Sequence, residues 1–386
     1  MIVIVAAYTP PGSAGSAHLG ASRKLEMIIS ILSRLNFKIV LVNTAHNDNR
    51  IAPICVNNSV INNVELTEIT PTISNSSKFG KLKNLFDVTN IIRLIEKIGK
   101  PEIFWLYNGY AFEMLFALKA HKVFVAPIIF EFEDWHFSRR RGINPKPYID
   151  YVFWRIAAKH LPVTFAVNSF LAGKMHRFSS DIALLPGIVP KVLTKISIET
   201  KPFCFNSNKI SIGFFGGLVS EKGADIVLEL IALMPSSFVF HVTGSGPLEE
   251  NFTACAKLHP DKLFFHGRVD EGELYKLIEK CDVILNPHAS IKNMKNGVFP
   301  FKVIEAIASG RLLISTDLPL DGLEDVLRGV QFVEHSANAF CDALHFCRQT
   351  YLINSSYISQ GADIASQKFG EAALFDKVRS IINKQG

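Results

Sequence analysis

Long apolar runs are missing from this 386-residue chain. No uninterrupted hydrophobic stretch approaches the roughly 20 residues that cross a bilayer, so a transmembrane helix is not expected. The sequence opens directly on Ile2-Val-Ile-Val5, without the basic, apolar and small-residue series of a signal peptide, and a cytosolic protein is expected. C-x-x-C pairs are missing as well. Six cysteines (55, 204, 255, 281, 341 and 347) are scattered mostly among apolar neighbours. That excludes a zinc knuckle or a disulfide framework and leaves core thiols. Charge is sparse, 20% against 48% hydrophobic residues, which excludes a disordered chain. No recognised nucleic-acid-binding motif appears and the net charge is only +6, so nucleic acid is not an expected partner. A complete G-x-G-x-x-G fingerprint is absent, which argues against a nicotinamide oxidoreductase.

What is present is an α/β rhythm, too long for one core. Ile2 to Ala7 reads as a buried strand, followed by a small-residue loop through Gly15. A helix then carries Ala21, Leu25, Ile28, Ile29, Leu32 and Leu35 on one face. Further strands are expected at 37–43, 103–107, 123–130 and 163–168, with a helix over 148–160. Residues 44–77 are polar, with a weak strand signal near 51–56. Residues 191–209, rich in Lys, Thr, Ser and Asn, read as a linker. The rhythm resumes at 210 with strands at 210–215, 238–243, 263–267, 281–287 and 312–316, and a final helix near 371–382. The expected organisation is therefore a first domain over 1–190, a linker over 191–209, a second domain over 210–365 and a closing helical segment over 366–386. Charge divides unevenly: residues 1–190 hold 21 Lys and Arg against 13 acids, the remainder 20 against 22. A basic first half implies an anionic partner there.

Several short motifs carry chemistry. Asn296 to Gly310 reads as a glycine turn at Gly297, a proline (Pro300) at the first turn of a helix, and a glycine stop. Lys302, Glu305 and Ser309 share one helical face by spacing, while Val303, Ile304, Ile307 and Ala308 make the face that packs. A carboxylate such as Glu305 accepts two hydrogen bonds at once, as vicinal hydroxyls require. The plainer reading is a surface ion pair with Lys302, worth about 0.2–0.5 kcal/mol. Gly216-Gly217 after a strand, with Lys222 just beyond, suits backbone amides and an ammonium around a pyrophosphate, or simply a βα turn. Gly244-Ser-Gly246-Pro247 is by itself a tight turn. Glu131, Glu133, Asp134 and His136 crowd a strand end, fitting a catalytic or a capping role equally, and lack a second acidic cluster for a metal site. Two basic stretches, Lys78, Lys81 and Lys83 and then Arg139, Arg140 and Arg141, lie among aromatic residues. They read as solvated charge or as contact with an anionic membrane.

Taken in order, the second-half motifs resemble glycosyltransferase family 4, and within it bacterial surface-polysaccharide glycosyltransferases. The matching positions are Gly216-Gly-Leu-Val-Ser-Glu-Lys222-Gly, Gly244-Ser-Gly-Pro-Leu248, Phe265-His-Gly-Arg-Val269, Asp282-Val-Ile-Leu-Asn-Pro287 and Phe299-Pro-x-Lys-x-x-Glu-Ala-x-Ala-x-Gly310. They cover most of residues 210–330, whereas the first 185 residues match only in layout. The resemblance implies the GT-B fold: two Rossmann-like, doubly wound domains facing across a cleft, with a C-terminal helix crossing back to the first. It implies a retaining, metal-independent transfer needing no cofactor beyond a UDP or GDP sugar as co-substrate. Lys222 would neutralise the diphosphate, with amides around Gly15 and Phe299, Pro300 and Phe301. Glu305 would hold the ribose, and Arg268 and Val269 would border the base. Glu133 and Asp134 would stand by the reacting sugar, and Glu131 and His136 on the acceptor side. The acceptor would be a glycan or lipid-linked glycan of the cell envelope, met at the inner face of the cytoplasmic membrane. Two positions depart from the pattern: Gly297 replaces a glutamate and Gly217 an arginine, with Lys302 placed to supply part of the lost charge. These departures leave open a silent partner protein on the same fold; an epimerase or hydrolase is the other alternative.

Overall fold

In the computed structural model the described residues are all but 11–18, 46–52, 73–83, 139–144, 201, 204–207, 290–298, 319–320 and 385–386. The chain divides into two compact units. One comprises Met1–Leu185 and Leu374–Gly386, the other Pro186–Met294 and Phe299–Ala373.

The first unit is built on eight strands: β1 Ile2–Ala6, β2 Ile39–Asn43, β3 Cys55–Ile61, β4 Val64–Thr70, β5 Ile103–Tyr107, β6 Ile128–Phe132, β7 Val163–Ala166 and β8 Asp181–Leu184. Their order is β3-β4-β2-β1-β5-β6-β7-β8, and every pairing but β3–β4 is parallel. β1, β2, β5 and β6 are buried at every residue, which is why they read as continuous apolar runs: helices cover both faces of a parallel sheet. The chain leaves β1 toward β2 and later returns to β5 on its other side, so the switch point lies between β1 and β5.

The second unit has six parallel strands: β9 Ile210–Phe215, β10 Phe238–Thr243, β11 Leu263–Gly267, β12 Val283–Asn286, β13 Leu312–Ser315 and β14 Gln331–Phe332. Their order is β11-β10-β9-β12-β13-β14, with the switch point between β9 and β12. Its core runs from Ile212, Phe214, Phe240 and Leu285 to Phe252 and Phe340. Among the described residues of the two units, side-chain caps start three helices: Asn168 in the first accepts from Leu171 N at 3.0 Å, and in the second Asp270 accepts from Glu273 N at 2.8 Å and Ser336 from Ala339 N at 3.2 Å.

Two doubly wound units and a helical C-terminal extension agree with the expected class. The last helix, Glu371–Asn383, buries Leu374, Val378 and Ile381 at helical spacing. It joins the first unit, where Lys377 pairs with Asp181 at 3.0 Å and Phe375 lies 5.4 Å under the Arg34 guanidinium.

Local readings differ in four places. The expected linker opens on a helix, Lys191–Glu199, because Leu193 and Ile196 form a buried stripe that composition obscured, and the units part at Leu185/Pro186. The polar region 44–77 contains the β3–β4 hairpin, turned by Asn62 and Asn63 at φ 49° and 61°. β3 is an edge strand whose side chains are mostly exposed, so it lacks an apolar run. The strand expected over 123–130 begins only at Ile128, since the helix Ala111–Val123 ends where it was placed. Cys347–Phe369 forms the longest helix, with no continuous apolar face to announce it. No helix among the described residues is long and apolar enough to cross a membrane.

Candidate functional site

At the carboxyl ends of β9, β10 and β11 three loops are knitted by backbone hydrogen bonds. Leu218 N donates to Ser245 O at 3.0 Å and Gly244 N to Gly267 O at 2.7 Å. The glycines follow from this closeness. A Cβ on Gly244 (φ +133°) would stand 1.7 Å from Gly216 O. A turn at Ser220–Lys222 follows, then Gly223 at φ +73°, whose Cβ would lie 1.9 Å from Pro287 O. Ala289 N donates to Glu221 O at 2.9 Å. The loops after β9 and β12 therefore meet at the switch point, where open α/β sheets take their ligands.

Two ammonium groups enter this place from different elements. Lys222 is half-buried at the end of its turn, and burial lowers its pKa against the opposing pull of Glu221. Lys302 sits in the first turn of the helix Phe301–Ala308. Its stem is half-buried, but Nζ is shielded from solvent, makes no hydrogen bond among the described residues and lies 4.6 Å above the Phe214 ring. Burial first, and the Lys222 charge second, push it down to about 7. The two stems line the glycine turn: a Cβ at Gly217 would be 3.3 Å from Lys222 Nζ, and one at Gly216 4.0 Å from Lys302 Cδ. His288, 3% exposed, is lowered to about 4 by burial, with both lysine charges adding to the effect against its bond to Ala289 O. Burying a cation without a counter-ion costs free energy that the Phe214 face only partly offsets. An anion bound here would relieve it.

The helix Phe301–Ala308 is buried over six of its eight residues. Val303, Ile304, Ile307 and Ala308 pack as expected, but the opposite face is not solvated. Glu305 is 4% exposed and Ser309 fully buried, its hydroxyl donating to Ala306 O at 2.7 Å. A surface ion pair is thereby excluded as the role of Glu305. Phe299 is buried, Pro300 precedes the helix with φ −69°, and Phe301 lies against Gly187. Arg268 is exposed beyond β11, its Nε donating to Ser245 Oγ at 2.9 Å, with Val269 half-buried beside it.

In the first unit the acidic strand end is an ion-pair centre. Glu131 is completely buried; it accepts from Trp105 Nε1 at 2.8 Å and lies 2.6 Å from Lys24 Nζ. Lys24, 1% exposed, also pairs with Glu133 and donates to Leu185 O at 3.2 Å. Burial works to lower the Lys24 pKa, but the two carboxylates outweigh it and leave it raised. Burial raises Glu133 to about 7 against the pull of Lys24, with Glu131 adding to the rise. Glu131, which the resemblance put on the acceptor side, is an internal group that holds Lys24. Lys24 escaped the sequence reading, although its spacing from Ala21 and Ile28 placed a lysine on the apolar stripe. His136 is buried too, its ring tilted against that of Tyr110 with centroids 4.2 Å apart and Nε2 3.9 Å from Asp150 Oδ2. Asp150 caps Ala111 N at 2.9 Å. Asp134 is half-buried between these groups in sequence, its carbonyl 3.3 Å from His136 Nδ1. Gly15, Gly297, Lys78, Lys81, Lys83, Arg139, Arg140 and Arg141 lie outside the described residues.

Residues 209–348, which include Lys222, Lys302 and Glu305, match the family described as glycosyl transferases group 1. Glycogen synthase of Cellvibrio japonicus (strain Ueda107) is 28% identical over 160 residues, 39% of this chain and 32% of that protein. The chain thus aligns with about a third of the curated relative it matches. Sucrose-phosphate synthase from Thermosynechococcus elongatus superposes with a TM-score of 0.69 at 12% identity, covering 99% of this chain and 98% of that one. HepE of Anabaena, in complex with UDP-glucose, gives 0.65 at 14% identity over the whole of both chains. WaaG, a glycosyltransferase involved in lipopolysaccharide biosynthesis, gives 0.66 at 12% identity over 99% of each. The fold is GT-B. Within the GT-B framework the two lysines and Glu305 belong to the second unit and the Lys24 centre to the first.

Proposed function

We propose that this GT-B protein is a retaining, metal-independent glycosyltransferase that moves a sugar from a nucleotide diphosphate to a glycan or lipid-linked acceptor in cell-envelope polysaccharide synthesis. The observation that carries this reading is the Lys222–Lys302 pair: a half-buried lysine and a shielded ammonium without a hydrogen-bond partner among the described residues, together at a switch point, suit a diphosphate. Glu305 would take the ribose hydroxyls and the Arg268–Val269 segment would border the base. UDP is favoured over GDP by the likeness to HepE, and an envelope acceptor by the likeness to WaaG. Residence at the inner face of the cytoplasmic membrane goes with that acceptor.

In the reaction, the acceptor oxygen attacks the anomeric carbon from the face the phosphate leaves. The carbon–oxygen bond to the β-phosphate breaks, and the acceptor proton passes to the departing phosphate oxygen. Lys222 and Lys302 stabilise the negative charge that grows on that oxygen, an electrostatic contribution available without a metal. Glu133 and Asp134 would orient the reacting sugar and acceptor, and Glu131 would act through Lys24. His136 would line the acceptor side.

Calorimetry with UDP and GDP on the native chain, Lys222→Ala and Lys302→Ala tests the reading. Binding of one nucleotide, weakened at least tenfold in both variants, is expected. Undiminished binding in both variants would remove the assignment, and absence of binding by the native chain would favour a catalytically silent protein. Donor incubated without acceptor separates transfer from epimerisation or hydrolysis.

A further inference from the structure

The helix Lys146–Ala157 in the first unit carries apolar side chains on its outward as well as its inward side. Its inward side holds Pro147, Asp150, Trp154 and Ala157, with the Asp150 carboxylate paired to Lys146 at 2.5 Å. Its outward side carries Tyr148, Tyr151, Val152, Arg155 and Ile156, and continues at helical spacing to Lys159. Tyr148, Tyr151, Val152 and Ile156, with Phe170 on the helix Ser169–Met175, are each between 40% and 53% exposed. Single exposed apolar residues are ordinary; five on one connected surface are not. The surface is continuous through Trp135, whose ring lies 6.4 Å from Tyr151 and 6.1 Å from Phe170.

Cations frame this apolar strip. Lys174 Nζ stands 5.0 Å over Trp135 and 4.6 Å over Phe170, and the Arg155 guanidinium 4.9 Å over Phe178. Between residues 145 and 180 the bases are Lys146, Arg155, Lys159, Lys174 and Arg177, and the one acid, Asp150, is buried. We propose that this face docks the protein onto an anionic phospholipid surface, with the Tyr, Val, Ile and Phe side chains at headgroup depth and the bases on the phosphates. A second copy is a poor occupant, because a two-fold contact sets each basic rim against its own likeness.

The proposal deepens the reading of a lipid-linked acceptor and rests on it for its purpose, but its test is independent. The full chain is sedimented with vesicles of phosphatidylcholine alone and of equal parts phosphatidylcholine and phosphatidylglycerol. Binding to the mixed vesicles only, lost at high salt, is expected. The double variants Val152→Ser/Ile156→Ser and Arg155→Gln/Lys159→Gln should each weaken it about tenfold or more. UDP heats measured on the same variants should be unchanged, since none of the four residues is in the donor site. No native binding to mixed vesicles, or native-like binding by both variants, would overturn the proposal. So would a dimer in sedimentation velocity that Val152→Ser/Ile156→Ser abolishes, which would give the face to a second copy. Loss of UDP binding by the native chain would instead defeat the donor reading and leave the vesicle result standing.

Discussion

The Lys302 ammonium rests 4.6 Å above the Phe214 ring and donates to no group among the described residues. Burial, and after it the Lys222 charge, works against its protonated form. Since its folded pKa, about 7, is below that of an unfolded lysine, the unfolded chain binds more protons between about pH 7 and 10. Lys302 therefore costs stability at neutral pH, and the cost fades as pH rises through that window. Lys302→Met should stabilise the ligand-free chain by on the order of 2 kcal/mol at pH 7 in urea unfolding. It should abolish tight UDP binding in the same preparation.

Nucleotide affinity should follow the same proton. Only protonated Lys302 attracts phosphate, so UDP binding should weaken as pH rises from 7 to 9 and should take up a proton from the buffer. Lys222 and His288 face the same place, but burial already holds His288 near 4, below this window. Calorimetry in buffers of different ionisation enthalpy measures the uptake, and Lys302→Arg should flatten the profile.

Glu305 gives a sharper division of labour. Glu305→Gln keeps the shape of a buried side chain while halving its capacity as an acceptor. Affinity for UDP should fall about tenfold while affinity for inorganic pyrophosphate stays native. Equal losses for both would place Glu305 with the phosphates or with the helix packing instead.

Gly244→Ala should unfold the second unit at lower denaturant. Its Cβ has no room beside Gly216 O and C, which are backbone atoms and cannot swing away. A loss on the order of 3 kcal/mol is expected in urea unfolding.

Lys24→Met leaves the buried Glu131 and the half-buried Glu133 without their cation. A loss of about 3–5 kcal/mol is expected. Adding Glu131→Gln should restore part of it, because one fewer charge is then left inside. Glu133→Gln alone should hold the fold while lowering transfer, measured with saturating donor. Native turnover in that variant would reduce the acidic strand end to scaffolding.

Much of the architecture was legible. β9 to β13 and the glycine turns after β9, β10 and β11 announce themselves, because a buried parallel strand tends to be an apolar run and those turns carry Gly216, Gly244 and Gly267, whereas the two-residue β14 gave no signal. The β3–β4 hairpin and the helix Cys347–Phe369 did not, since an exposed edge and a helix of mixed faces lack a sustained period. By itself, then, the sequence determined the α/β class, two units and the turn after β9 that carries Lys222, all of which are local patterns. Only the tertiary structure decided that Lys302 lies over Phe214 near Lys222, that Glu305 is inside, and that Lys24 holds Glu131 of β6 and Glu133 just beyond it. Those pairings depend on which strands lie side by side at each switch point, and strand order is set by packing across the whole sheet rather than by neighbours in the chain.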